Sequence, residues 1–280
     1  MNDHSLNYKA YLIDLDGTVY HGSQPIPEAV QFVRYLRERD VPYLFLTNNS
    51  TRQPEEVASQ LQQMGVPATA DNVLTSAQVA AHYVANRFAS PHVFVIGEDG
   101  LKHTLLQAGC HLVENWPNAA AEDDCKDADT RYDCHAVIVG LDRQFSYDKL
   151  TLAVRAIRKG ALFIGTNGDR LLPTDDGWLP GNGSLCAAVR EATQVEPIYM
   201  GKPERAITDM ALQLLGLPRE QVIMVGDNLE TDILAGVNAE IDTLFVLSGV
   251  SAADDIETLG IRPTHTVKNL QEWQGRVSNC

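Results

Sequence analysis

The chain has 280 residues, 44% of them hydrophobic, and a formal net charge of −15 at pH 7. That is the make-up of a soluble globular protein with room for two domains of ordinary size. A phosphate backbone rewards clustered Lys and Arg, and no such cluster is present, so the acidic balance argues against nucleic acid as a partner. No apolar run approaches the roughly 18 residues a membrane helix needs, which argues against a membrane span. Met1 to Lys9 is polar and lacks the apolar stretch of a signal peptide, so a cytoplasmic protein is expected. The five cysteines, Cys110, Cys125, Cys134, Cys186 and Cys280, form no CxxC pair and suggest neither a disulfide framework nor a zinc site.

In chain order, Ala10-Tyr11-Leu12-Ile13 reads as a buried strand that runs into Asp14-Leu15-Asp16-Gly17-Thr18. Pro27 opens a helix with Val30, Val33 and Leu36 at spacings of three. A strand from Tyr43 to Leu46 runs into Thr47-Asn48-Asn49. Pro54 then starts a helix with Val57, Leu61 and Met64 on one face and Gly65 as its stop. A short strand, Val73-Leu74-Thr75, and a helix from Ser76 to Phe88 complete a pattern that predicts an α/β fold with a doubly wound parallel sheet.

A second alternating series begins near Ser90-Pro91. It reads as strand His92 to Ile96, helix Glu98 to Ala108, strand His111 to Val113, strand Ala136 to Val139, helix Tyr147 to Lys159 and strand Ala161 to Gly165. An acidic stretch over 117–133 lacks the spacing and central glycine of a calcium loop and reads as solvated. A Gly/Pro/Asp-rich stretch, Asn167 to Ser184, precedes a helix from Leu185 to Thr193. The first series then resumes. Strand Ile198 to Met200 leads to Lys202-Pro203 and a helix from Glu204 to Leu215, and strand Val222 to Val225 leads to Gly226-Asp227 and a helix from Glu230 to Ala239. Strand Thr243 to Leu247, an edge strand at Thr264 to Val267 and a helix from Leu270 close the chain. The economical reading is a catalytic core made of 1–88 and 197–280, interrupted by an inserted α/β domain at 89–196. Strands running parallel in one sheet would bring four polar segments to one edge, where open α/β sheets bind ligands.

Those segments supply a nucleophile, a metal site and a phosphate clamp. Thr47 offers a hydroxyl and Asn48 and Asn49 offer amides suited to phosphate oxygens, although capping of the Pro54 helix is an alternative. Lys202 lies between a glycine and a proline, where its ammonium would offset charge on a transferring phosphoryl group unless it is a surface lysine. Carboxylates repel a phosphate, and a hard divalent cation, best Mg2+, removes that barrier.

Asp14-Leu15-Asp16-Gly17-Thr18 resembles motif I of the haloacid dehalogenase superfamily, and Thr47-Asn48-Asn49, Lys202 and Gly226-Asp227 with Asp232 match its other motifs in order. Gly-Thr-Asn-Gly-Asp at 165–169, Pro-Gly-Asn-Gly-Ser at 180–184 and the segment 226–236 are similar to the NagD-like subfamily. That group includes nitrophenyl phosphatases, phosphoglycolate phosphatases and pyridoxal phosphate phosphatases, and carries a C2-type α/β cap. The resemblance implies a magnesium-dependent phosphatase of small-molecule phosphomonoesters such as sugar phosphates, nucleotides, phosphoglycolate or nitrophenyl phosphate. It makes Asp14 the nucleophile and Asp16 the general acid and base. It gives the metal the Asp14 side chain, the Asp16 backbone carbonyl and the Asp227 side chain. Asp232 touches the metal or orients a ligand, with a dipole-stabilised acid at a helix start as the other reading. In the inserted domain Asp169 and Arg170 are candidates for contacts to the leaving group, or else form a solvated turn. The pyridoxal phosphate members carry a His where Leu172 stands here, before Pro173, which argues against that substrate.

A metal-free dehalogenase would have no use for Asp16 and Asp227, and a receiver module would lack the long insertion. A catalytically idle regulatory protein on the same scaffold stays open, since fold does not dictate activity. The sequence does not specify the substrate within this class or the oligomeric state, a homodimer included.

Overall fold

The computed structural model describes residues 8–113, 132–174 and 177–278. The chain divides into two compact units, one made of Met1–Thr47, Pro54–Leu74 and Lys202–Cys280, the other of Asn48–Gln53 and Thr75–Gly201. Both are built on parallel sheets with helices between the strands, the expected α/β class.

In the first unit the sheet has the order His265–Val267, Asp242–Val246, Val222–Gly226, Ala10–Asp14, Tyr43–Thr47 and Val73–Thr75. The five strands from His265–Val267 to Tyr43–Thr47 pair in parallel. Ala10–Asp14 is buried along its whole length, as a central strand covered on both faces must be. Tyr11 and Ile13 alternate with Leu12 and join Phe45, Val225 and Leu244 in one apolar cluster. Helices Pro27–Glu38, Pro54–Gln63 and Leu270–Val277 cover it with Phe32, Leu36, Leu61 and Trp273. The chain winds outward from Ala10–Asp14 to one side and returns later on the other, so the order reverses at that strand. Such a reversal leaves a crevice beyond the carboxyl ends. The register sets Asp14 level with Leu46, and Ile13 level with Val225.

The second unit holds a five-stranded sheet in the order Ile198–Tyr199, Leu162–Gly165, Ala136–Val139, His92–Ile96 and His111–Leu112, all parallel. Helices Tyr147–Arg158 and Asn182–Thr193 bury Ala153, Ala156, Ile157, Cys186 and Val189 against it.

Four elements differ from expectation. Ile198–Tyr199, expected in the sheet with Asp14, pairs in parallel with Leu162–Gly165 as an edge strand of the other sheet. A two-residue strand whose Ile198 is 41% exposed carries no apolar pattern that would choose between sheets. Helix Ser76–Arg87, expected with the core, falls within the second unit. The stretch expected as irregular after Asn167 contains an antiparallel hairpin, Leu171–Thr174 with Gly177–Pro180. The helix expected from Glu230 begins instead as a π-helical turn, Leu229–Ile233, before Leu234–Asn238.

Of the acidic stretch 117–133, all but 132 and 133 lies outside the described residues, as do Cys125 and Cys280. Asp133 meets Lys159 at 3.2 Å. Cys110, Cys134 and Cys186 are free thiols, and burial pushes the Cys186 thiol up to about 12, which leaves it unreactive. No helix among the described residues is long and apolar enough to cross a membrane.

The C-terminal helix is held chiefly by Trp273, fully buried, with ring centroids 4.9 Å from His265 and 6.2 Å from Tyr8. Trp273→Ala is expected to cost about 3–5 kcal/mol of stability, read from urea denaturation, and to raise amide exchange first along residues 270–277.

Candidate active site

At the carboxyl edge of the first unit's sheet, four charged side chains are gathered out of water. Asp14 ends the central strand, and Asp227 follows Gly226 at the end of the adjacent strand. Asp232 comes from the π-helical turn, whose wider winding begins where Asn228 caps Glu230 N–H at 2.9 Å. Lys202 precedes a cis Pro203. Asp227 is 0% exposed and Lys202 only 3%.

The Lys202 ammonium donates to Asp14 Oδ1 and, at 2.8 Å, to Asp232 Oδ1. Asp232 Oδ2 accepts the Asn228 N–H at 3.1 Å. Asp232 is therefore a helix-start acid and a partner of Lys202 at once. Asp227 accepts from Thr18 Oγ1 at 2.9 Å and from the Val250 N–H at 2.7 Å.

Three carboxylates thus share the site with one ammonium, which bonds two of them directly. Burial and the neighbouring Asp232 push the Asp14 carboxyl well above its ordinary range despite Lys202. Burial and Asp232 likewise raise Asp227 to about 6. Burial alone would lower the Lys202 ammonium, but Asp14 and Asp232 outweigh it and hold the proton more firmly than usual. One oxygen from each of Asp14, Asp227 and Asp232 lies within 4.8 Å of the others. Three clustered hard oxygen donors fit a small divalent cation of the magnesium kind.

Asp16 is exposed two residues beyond Asp14, at a turn closed by Gly17, which has φ +91°. A Cβ on Gly17 would overlap the Asp227 carboxylate, so the turn requires glycine in both conformation and space. Thr47 is buried at the end of its strand.

The other expected site residues belong to the second unit. Asn48 Nδ2 donates to both Asp169 oxygens at 3.2 Å, and the Asn48 carbonyl accepts from Ser76 Oγ and Asn167 Nδ2. Asn49 Oδ1 accepts the Thr51 N–H at 2.9 Å and its hydroxyl at 2.8 Å, closing a local turn ahead of the Pro54–Gln63 helix. Asp169 N–H donates to Asn167 Oδ1 at 3.1 Å, closing a turn, while Arg170 is exposed. Sequence reasoning assigned nothing to the Thr18 hydroxyl or to Ser248–Ser251, because a hydroxyl and a backbone N–H leave no pattern in a sequence.

The model of a family described as haloacid dehalogenase-like hydrolase matches residues 11–111, and one described as HAD-hydrolase-like matches residues 199–273. The chain is 44% identical over 266 residues to the acid sugar phosphatase of Staphylococcus saprophyticus, covering 95% of this chain and 96% of that protein. It is 43% identical over 266 residues to the 5′-nucleotidase YutF of Bacillus subtilis, covering 95% and 97%. The p-nitrophenyl phosphatase structure from Archaeoglobus fulgidus superposes with a TM-score of 0.86 at 31% identity, covering 96% of this chain and 99% of that one. A glycerol phosphate phosphatase from Mycobacterium tuberculosis in complex with magnesium gives 0.83 at 37% identity, covering 95% and 76%.

Removing the ammonium exposes how much the cluster depends on it. Lys202→Met is expected to lower stability in EDTA by about 3–5 kcal/mol, because it leaves buried carboxylates uncompensated. Urea midpoints with and without EDTA check this, and magnesium should recover part of the loss.

Proposed function

Since the chain belongs to the haloacid dehalogenase-like hydrolases, we propose that it is a phosphatase hydrolysing small-molecule phosphomonoesters through an aspartyl phosphate on Asp14. The observation that carries the reading is the buried Asp14–Lys202–Asp232 cluster at the carboxyl edge of the sheet, with Asp227 beside it. Small cytoplasmic metabolites are the proposed substrates. Sugar phosphates come first and nucleotides second, given what the two sequence relatives are named for.

In this reading Asp14 attacks phosphorus, forming the Oδ–P bond as the P–O bond to the leaving group breaks. Asp16, exposed to solvent, gives its proton to the departing oxygen. It then takes a proton from the water that attacks the phosphorus of the aspartyl phosphate, freeing Asp14 and inorganic phosphate. Lys202 holds Asp14 in place, favours its ionised form against the pull of burial, and offsets charge on the equatorial oxygens. Thr47, with the neighbouring Asn48 and Asn49, is proposed to bind phosphate. Asp14, Asp227 and the Asp16 carbonyl would hold Mg2+, with Asp232 touching it or orienting a ligand. The bound cation would supply charge neutralisation and Lewis acidity at the phosphoryl oxygens. The part from 89 to 196 acts as a C2-type cap, and its Asp169 and Arg170 bear on substrate choice.

A screen of phosphorylated metabolites with magnesium, reading released phosphate, tests the class and ranks its members. Full turnover under thorough chelation would point to metal-free chemistry instead. Asp14→Asn is expected to abolish turnover while leaving the fold intact, since an amide cannot attack phosphorus. Asp16→Asn is expected to slow it by about a hundredfold or more. Steady-state rates on a substrate with a poor leaving group check both. More than a few per cent of activity in Asp14→Asn would sink the nucleophile assignment.

For the second unit, replacing Asp169 and Arg170 together by Ala is expected to change the ratio of kcat/KM between a sugar phosphate and a nucleotide. An unchanged ratio would place specificity elsewhere.

A further inference from the structure

The strand Asp242–Val246 runs parallel beside Val222–Gly226, with Phe245 level with Gly226, so the residues after Val246 lie alongside those after Gly226. There Ser248, Gly249, Val250 and Ser251 close around Asp227. Val250 N–H donates to Asp227 Oδ2 at 2.7 Å, and Ser251 N–H to the Asp227 carbonyl at 3.2 Å. Ser251 Oγ accepts the Leu229 N–H at 3.1 Å. Ser248 Oγ donates to the Gly17 carbonyl at 2.9 Å, and Thr18 Oγ1 donates to Asp227 Oδ1 at 2.9 Å.

Steric contact completes the enclosure. A Cβ on Gly249 would overlap the Asp227 carboxylate, as one on Gly17 would. The carboxylate is thus gripped between two glycine backbones, and each of its oxygens accepts one hydrogen bond from the protein. A carboxylate has about four acceptor sites, so each oxygen keeps capacity for another partner while the rotamer is fixed. Holding a ligand in one orientation before the metal arrives is what outer hydrogen-bonding partners do for metal affinity.

We propose that Ser248–Ser251 is the positioning element of Asp227 and sets the affinity of the Asp14, Asp227 and Asp232 cluster for a divalent cation. The proposal rests on the cation reading given under Proposed function. It goes beyond that reading by assigning metal affinity to residues that touch no substrate and carry no charge.

The test uses the full chain stripped with EDTA and titrated with Mn2+, free ion being counted by electron paramagnetic resonance. Melting temperature is recorded for every variant. Gly249→Ala, which pushes the Asp227 carboxylate from its rotamer, is expected to weaken Mn2+ binding by about 10–100-fold. Ser248→Ala adds no atoms, frees only the Gly17 carbonyl and is expected to weaken binding less, in the same direction, without lowering the melting temperature in EDTA. Should Gly249→Ala not fold, Ser248→Ala decides. Wild-type binding with unchanged Mn2+ affinity in a folded Gly249→Ala, or in Ser248→Ala where that variant decides, overturns the positioning role alone. No Mn2+ binding by the wild type overturns the cation reading, and the positioning role with it.

Discussion

A lysine held between two carboxylates, away from water, is the constraint around which the first unit is arranged. Lys202 bonds Asp14 and Asp232 while all three are almost wholly buried. Taking an ion out of water costs several kcal/mol even after relaxation, and attraction offsets this only where geometry is close and the remaining acceptors are satisfied. The surroundings meet these conditions in part. Asp232 receives the Asn228 N–H from its own turn, and Asp227 receives the Thr18 hydroxyl and the Val250 N–H. Replacing such a cluster by apolar residues of equal volume is often neutral or stabilising, so stability alone does not account for it. Its requirement is a place where three carboxylates and one ammonium converge, a donor set that suits a further cation.

That requirement explains the sheet. Charged groups from distant parts of the chain meet where parallel strands end together, and the register of Ala10–Asp14 against both neighbours delivers this to within a residue. The central position of that strand shields Asp14 from both sides, while Asp16, two residues on, emerges into solvent. A single turn thus gives two aspartates opposite environments. One is buried, its carboxyl raised by burial and by Asp232, and the other is exposed.

Much of this was legible in the sequence, and the reason is physical. Buried parallel strands must be apolar throughout, so Ala10–Ile13, Tyr43–Leu46 and Val222–Val225 stand out, and each ends in a polar cluster that a core could not otherwise hold. Asp14, Lys202, Asp227 and Asp232 were found because their motifs are residue types at fixed places. The edge strand Ile198–Tyr199 was misassigned because its two residues carry no alternation, and only hydrogen bonding to Leu162–Gly165 says which sheet it joins. The π-helical turn at Leu229–Ile233 was read as ordinary helix, since one extra residue in a turn hardly alters the apolar spacing. The grip of Ser248–Ser251 on Asp227 was invisible for a different reason. Two of its bonds are backbone N–H groups, which every residue but proline possesses.

The second unit follows a contrasting rule, in which neutral polar groups take the place of charges. Asn182 Nδ2 donates to the Val139 and Asn167 carbonyls at 3.1 and 2.8 Å, and Asn167 Nδ2 donates to the Asn48 carbonyl at 2.7 Å. Thr166 Oγ1 donates to Ser50 Oγ at 3.2 Å. These bonds tie 48–53 to the ends of strands that lie far away in sequence, although 48–53 directly follows the Thr47 strand of the first unit. The chain leaves the first unit after Thr47, returns to it over Pro54–Leu74, leaves again at Thr75 and re-enters it at Lys202. The Asn48 amide donates to Asp169, fixing the start of the loop that carries Arg170 and the hairpin beyond it. Asn48 and this loop belong to the same unit, so the pair gives the loop a defined starting point from a segment more than a hundred residues earlier in the chain.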